Sequence, residues 1–169
     1  FRLYFLNLPI IVFLNFFLLF FLLFCLYLSI ESIKTIEPKR QSLFYALLLF
    51  AHSGYLGIAA THDLFNLYVF IEIASLSTYA LIAQGRNPKA LIGAFDYLVL
   101  GTIGATLILI AIGLLFSVTG SLNMTDISER LPSLYNSNVI MLGISFFLIG
   151  ALLKVAFFPM HFWMIRAYN

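Results

Sequence analysis

Three charged side chains lie within stretches of sequence that are otherwise apolar enough to cross a lipid bilayer. They are Glu72, Asp96 and Lys154. A charged side chain near the centre of a membrane helix costs about 2.5–3.5 kcal/mol on insertion scales, so a chain that only needed to be embedded would carry an apolar residue there. Charges at such depth commonly line an ion or proton path. The sequence therefore predicts a membrane protein that moves ions or protons.

Glu72 lies about midway along its apolar stretch and shares a helical face with three hydroxyl-bearing residues. At 3.6 residues per turn, Tyr68, Ser75 and Tyr79 fall on the same side of the helix as Glu72. Burial and a nearby cation act in opposite directions on a carboxyl group, and a group held between them can exchange protons near neutral pH. We predict this role for Glu72, with Tyr68 and Ser75 as auxiliary residues. A static buried ion pair is the alternative.

Lys154 lies deep in the last apolar stretch. Because desolvation disfavours its charged form, a buried lysine can both donate and accept protons. Pro159, five residues later, is expected to kink or break the helix and to free carbonyl groups at membrane depth. His161 falls nominally on the same face as Lys154 and would pass protons onward. The alternatives are a lysine that snorkels to the interface and an interfacial histidine beside Trp163.

Other signs of chemistry are few. Asp96 lies nearer the end of its apolar stretch, so a half-hydrated structural role competes there with an auxiliary role in ion movement. The sequence contains no metal-ligand spacing, nucleotide-binding loop or Ser/His/Asp constellation. Cys25 is the single cysteine, and the net charge is only +2. We therefore expect no cofactor or redox centre in this chain and no nucleic-acid partner.

The composition requires these residues to be positioned by membrane helices. Of the 169 residues, 63% are hydrophobic and 9% are charged, whereas soluble domains carry about 25% charged residues. The apolar runs are continuous rather than alternating, which favours helices over a barrel. We predict an all-α polytopic bundle with about five transmembrane helices. The predicted spans are 8–30, 43–60, 64–83, 91–118 and 139–163, with an interfacial segment at 122–131 and close helix packing at Gly101, Gly104, Gly143 and Gly150.

The distribution of Lys and Arg outside the spans predicts the orientation of the chain. One side of the membrane receives six such residues, and the other side receives two. Cytoplasmic loops carry the excess of positive charge, so the N-terminus is predicted to lie outside. The six are Lys34, Lys39, Arg40, Arg86, Lys89 and Arg166, and the two are Arg2 and Arg130.

Four stretches, in order along the chain, share their wording with one family: Asp63–Ser77, Tyr97–Gly101, Thr119–Met124, and Lys154 followed by Phe158–Trp163. They resemble the antiporter-like subunits of respiratory NADH:quinone oxidoreductase (complex I) and of Mrp-type cation/proton antiporters. Members have about fourteen helices in two inverted repeats, and this chain resembles the third to the seventh helix, as a fragment of a larger subunit. The resemblance implies that Glu72 and Lys154 form the core of a proton half-channel.

Two positions depart from the family pattern. Asp96 stands before Tyr97 where the family commonly has lysine, and Met164–Ala167 replaces the sequence that usually follows the tryptophan. Three interpretations follow: a subunit of an Mrp-type Na⁺(K⁺)/H⁺ antiporter, which the wording favours slightly, a proton-pumping subunit of complex I, or an inactive truncated remnant. The two active ones imply other membrane subunits as partners, contact with lipid, transport of protons with or without Na⁺ or K⁺, and location in a bacterial plasma membrane.

Overall fold

The computed structural model describes residues 8–10, 12–13, 15–17, 20, 38–84, 88–134 and 137–157. Within these residues the chain is built from helices joined by short connections, so the predicted all-α membrane bundle is confirmed. In chain order the elements are α1 (Pro38–Ala60), α2 (Leu64–Ala83), α3 (Pro88–Thr119), α4 (Met124–Arg130), a 3₁₀ turn (Leu131–Leu134) and α5 (Asn138–Lys154).

Three of the described helices are long and apolar enough to cross a membrane: Arg40–Ala60, Leu64–Ala83 and Leu91–Thr119. Helix α5 is apolar as well but has 17 residues, fewer than the roughly 20 that a straight span needs. Most of the first predicted span, 8–30, lies outside the described residues, and the described part of it is helical and exposed. The chain is thus a multi-pass membrane protein.

Consecutive long helices pack side by side through small residues. Helix α1 packs on α2, α2 on α3, and α3 on α5. The buried positions along α3 include Ala105 and Ala111 beside the larger Ile108 and Leu115, and small side chains let membrane helices approach closely. Many large apolar residues remain exposed on the outer faces, among them Phe50, Leu91, Phe95 and Leu148.

The connections at one end of the bundle are tied together by backbone hydrogen bonds. The Leu64 amide donates to the Leu122 carbonyl, and the Met124 amide donates to the His62 carbonyl, both at 2.9 Å. Two residues of these connections also cap helices, because an Asp63 carboxylate oxygen accepts from the amide of Asn66, and the Asn123 side chain does the equivalent for α4. Such caps satisfy amides that have no partner inside the helix. The start of α2 is therefore anchored to the segment that follows α3.

Helix α4 occupies most of the segment predicted to lie at the membrane interface, 122–131. Its Arg130 side chain donates a hydrogen bond of 2.5 Å to the Thr119 carbonyl at the end of α3. That contact satisfies one of the carbonyl groups that every helix leaves open at its C-terminus. The position of α4 relative to a bilayer stays a prediction.

Helix α5 ends earlier than the sequence suggested. The span was predicted to run to residue 163 with a break at Pro159, but the last helical residue is Lys154. The amides of Ala156 and Phe157 donate back to the carbonyls of Leu153 and Leu152, which is the Schellman pattern of a helix end. Ala156 has φ of 55°, the left-handed conformation that this pattern requires. Pro159 and His161 lie outside the described residues.

Candidate functional site

Glu72 and Lys154 meet inside the bundle, although 82 positions separate them in sequence. The Lys154 Nζ atom lies 2.5 Å from Glu72 Oε1, as a hydrogen bond and an ion pair. The side chains of Lys154 and Glu72 are only 10% and 18% exposed, respectively. An ion pair so far removed from water is coupled much more strongly than a surface pair. The structure therefore places the two residues that the sequence singled out in direct contact.

Ser75 gives Lys154 a second partner. Its hydroxyl oxygen accepts from Lys154 Nζ at 3.0 Å, and its own proton is donated to the Ile71 carbonyl, one turn back on α2, at 2.7 Å. With its proton engaged in this way, the hydroxyl presents its lone pairs to the ammonium group. Ser75 is thus an acceptor that favours the charged form of Lys154.

Two features of the backbone position Lys154. It is the last residue of α5, where the negative end of the helix dipole favours a cation. One turn earlier, Gly150 lies against the backbone of α3, since a Cβ atom there would come within 2.6 Å of the Gly104 carbonyl oxygen. The absence of side chains at this crossing lets α5 approach α3. Lys154 reaches Glu72 from this position.

A cavity of about 260 Å³ adjoins the pair. Its walls come from four helices and are mostly apolar, with hydroxyl groups of Ser75, Thr78 and Tyr97 and the side chain of Lys154 among them. The volume is large enough for several water molecules, each of which occupies about 30 Å³ in the liquid. A hydrated cavity beside Lys154 would let its proton leave without the cost of a bare charge in an apolar site.

The remaining predicted residues lie further from the contact. Tyr68 is half-buried one turn before Glu72 on α2 and interacts with its charge. Asp96 is half-buried on α3 and is not among the described hydrogen-bond or ion-pair partners of Lys154. No group of three or more His, Cys, Asp or Glu that could hold a metal ion occurs within the described ranges.

Two cavity residues, Thr78 and Tyr97, were not picked out as site residues from the sequence. Thr78 lies one turn beyond Ala74, whose carbonyl accepts its hydroxyl proton at 2.8 Å, so helical spacing from Ser75 was a usable signal. Tyr97 comes from α3, and its place at the cavity depends on how α3 crosses α2. Helical periodicity within one segment carries no information on that crossing.

Residues 61–169, which include both partners of the ion pair, match the family described as NADH:quinone oxidoreductase/Mrp antiporter, TM. The match covers more than half of the chain. The chain belongs to this family. That membership confirms the resemblance seen in the sequence.

Individual relatives come from both branches of this family. NADH-quinone oxidoreductase subunit N of Desulforudis audaxviator is 48% identical over 132 residues, covering 78% of this chain and 26% of that protein. The Na(+)/H(+) antiporter D subunit of Alkalihalophilus pseudofirmus is 31% identical over 144 residues, covering 85% and 29%. A chain of the membrane-bound sulfane sulfur reductase, an archaeal respiratory membrane complex, superimposes with a TM-score of 0.73 at 34% identity, covering 79% and 27%. The chain spans less than a third of the length of each.

Proposed function

We propose that this chain is a proton-translocating membrane subunit in which the Glu72–Lys154 pair takes up and releases the transported proton. The observation that supports it is the direct contact of Lys154 Nζ with Glu72 Oε1 between largely buried side chains. A buried pair is costly to maintain and adds little to stability compared with apolar packing. Family membership makes ion movement the more economical explanation than a static structural pair.

The contacts of Lys154 supply two alternative states. In one, the ammonium group is held by both the Glu72 carboxylate and the Ser75 hydroxyl. When a proton reaches Glu72, the attraction between the two charges is lost, and Lys154 keeps the Ser75 contact and the adjoining cavity. Moving one charge through 100 mV is worth about 2.3 kcal/mol. A proton gradient of ordinary size is therefore sufficient to shift the balance between such states.

The test is proton transport by membrane vesicles that contain the assembled complex with Glu72→Gln. We expect transport per complex to be abolished, because glutamine keeps the size of the side chain and cannot exchange a proton. Glu129→Gln is the matched control, since Glu129 is exposed on α4. Normal transport by the Glu72→Gln complex would contradict the proposal, and absence of any complex containing the chain would support an inactive remnant.

For the assembly, we propose a respiratory oxidoreductase complex of the NADH:quinone type. The 48% identity to an oxidoreductase N subunit, against 31% to an antiporter D subunit, supports it. The alternative from the wording of the sequence is an Mrp antiporter, in which Na⁺ or K⁺ would be exchanged for protons. In either case the partners are other membrane subunits and surrounding lipid, and a bacterial plasma membrane is the proposed location.

Purification of the tagged chain in mild detergent separates these assemblies. Co-purified peripheral subunits with flavin and iron–sulfur absorbance would support the oxidoreductase. Colourless small membrane subunits alone would support the antiporter. Vesicles provide an independent readout, because an electron donor drives transport in the first case and an imposed Na⁺ or K⁺ gradient drives it in the second.

A further inference from the structure

The Tyr79 side chain contains a buried polar group that the Glu72–Lys154 contact does not explain. Tyr79 is 5% exposed, and its hydroxyl makes no hydrogen bond with the described part of the chain. Leaving a buried donor without a partner costs about 1–3 kcal/mol. Such groups in native proteins call for an explanation, commonly an ordered water or a catalytic role. Phenylalanine at position 79 would avoid the cost.

Packing, rather than hydrogen bonding, fixes the place of this hydroxyl. The Tyr79 ring meets the Tyr97 ring edge to face, with centroids 4.3 Å apart. A Cβ atom at Gly101 would overlap the hydroxyl group. The hydroxyl therefore occupies a space that exists because position 101 on α3 has no side chain.

The hydroxyl lies in line with the ion-pair site. Tyr79 follows Ser75 by one turn on the same face of α2, and its hydroxyl interacts with Ser75 and with the Glu72 charge. Ser75 in turn contacts Lys154 at 3.0 Å. Because no direct hydrogen bond joins Tyr79 to Ser75, a single water or a small rotation is needed to connect them.

Tyr79 also separates two spaces within the bundle. Ser75 and Lys154 line the cavity of about 260 Å³. Tyr79 lines a second, more open crevice of about 510 Å³ between α2 and α3, which extends to Ala83 at the end of α2. By the distribution of Lys and Arg, that end of α2 is predicted to face the cytoplasm. The Tyr79 hydroxyl thus stands between the ion-pair site and one side of the membrane.

From this placement we infer that the Tyr79 hydroxyl relays protons between the Glu72–Lys154 pair and the Ala83 end of α2. The inference rests on the proposed function. In the relay the phenol oxygen gains a proton from water on the crevice side as its own O–H bond breaks toward water or the Ser75 hydroxyl on the other side. The phenol regains its proton in the same exchange, so no charge accumulates on Tyr79.

The test is Tyr79→Phe in the assembled complex, which keeps the ring contact with Tyr97 and removes only the hydroxyl. We expect proton transport per complex to fall by about tenfold or more, within the range that positioned proton donors contribute. The solvent isotope effect in heavy water should rise, because proton transfer becomes the slow step. Tyr45→Phe is the matched control, since Tyr45 is a half-buried α1 tyrosine that does not line either cavity.

Glu72→Gln measured in parallel distinguishes two kinds of failure. If Glu72→Gln abolishes transport while Tyr79→Phe transports at the wild-type rate, the relay is wrong and the proposed function stands. If both variants transport normally, both proposals are wrong. A decrease for Tyr79→Phe that only matches a lower amount of assembled complex, with an unchanged isotope effect, would assign Tyr79 a packing role and overturn the relay.

Discussion

Gly104 and Gly150 bring α3 and α5 into backbone contact one turn before Lys154. A Cβ atom on Gly150 would lie 2.6 Å from the Gly104 carbonyl oxygen and 2.8 Å from Ile108 Cγ1. The obstacle includes backbone, so it cannot be relieved by rotating a side chain. The position of the lysine relative to α2 therefore depends on the absence of two side chains elsewhere.

We expect Gly150→Ala to destabilise the bundle by about 1–3 kcal/mol, the usual cost of overpacking a tight site. The methyl group would push α5 away from α3, and Lys154 moves with α5, so proton transport should fall as well. Gly113→Ala is the matched control, because nothing lies within 4 Å of a Cβ atom there. Thermal denaturation of the purified complex measures both. Equal stability of the two variants would contradict the assigned role of the crossing.

The Glu72–Lys154 pair should show strong energetic coupling. Glu72→Gln and Lys154→Met each leave one charge in a site where its partner was 18% or 10% exposed, and breaking a buried pair costs about 3–5 kcal/mol. The double variant leaves no uncompensated charge. We therefore expect it to be more stable than the sum of the single effects predicts, by about 1 kcal/mol or more. Thermal denaturation of all four complexes gives the coupling, and additive effects would show that the contact contributes nothing.

The end of α5 offers a stabilising substitution. Ala156 has φ of 55°, a left-handed conformation that costs a residue with Cβ about 1–2 kcal/mol and that glycine adopts freely. Ala156→Gly should therefore raise the thermal stability of the complex, although glycine gains more entropy on unfolding. Ala46→Gly is the control, because Ala46 is exposed within α1, where glycine should destabilise by about 0.5–1 kcal/mol. A loss of stability for both variants would show that the left-handed turn after Lys154 is not maintained.

Much of the fold was predictable because it depends on local patterns. The bounds of α2, Leu64–Ala83, are those of the apolar run between Asp63 and the polar segment that starts at Gln84. Asp63 also supplied a recognisable N-terminal cap. The end of α5 was not predictable in this way. Proline is the familiar signal for a helix break, whereas the observed end at Lys154 uses alanine in a conformation that the sequence favours only for glycine.

The candidate site was predictable in part for a related reason. Intramembrane charges are rare and costly, so Glu72 and Lys154 stood out from composition alone, and Ser75 followed from helical spacing. The contribution of α3 was not visible. Tyr97 and Gly101 owe their roles to a crossing angle between helices, and many angles are compatible with the same apolar pattern.

Ser75 provides the last prediction, on the hydroxyl that accepts from Lys154 Nζ at 3.0 Å. Ser75→Ala removes this acceptor while leaving Glu72 in place, so we expect proton transport to fall by about tenfold, equivalent to about 1.4 kcal/mol. Ser75→Thr keeps the hydroxyl and should retain most of the activity. Ser145→Ala is the matched control, because the exposed Ser145 hydroxyl donates to the carbonyl one turn back, as that of Ser75 does. If Ser75→Ala and Ser145→Ala transport protons equally well in vesicles, the contact with Lys154 has no part in transport.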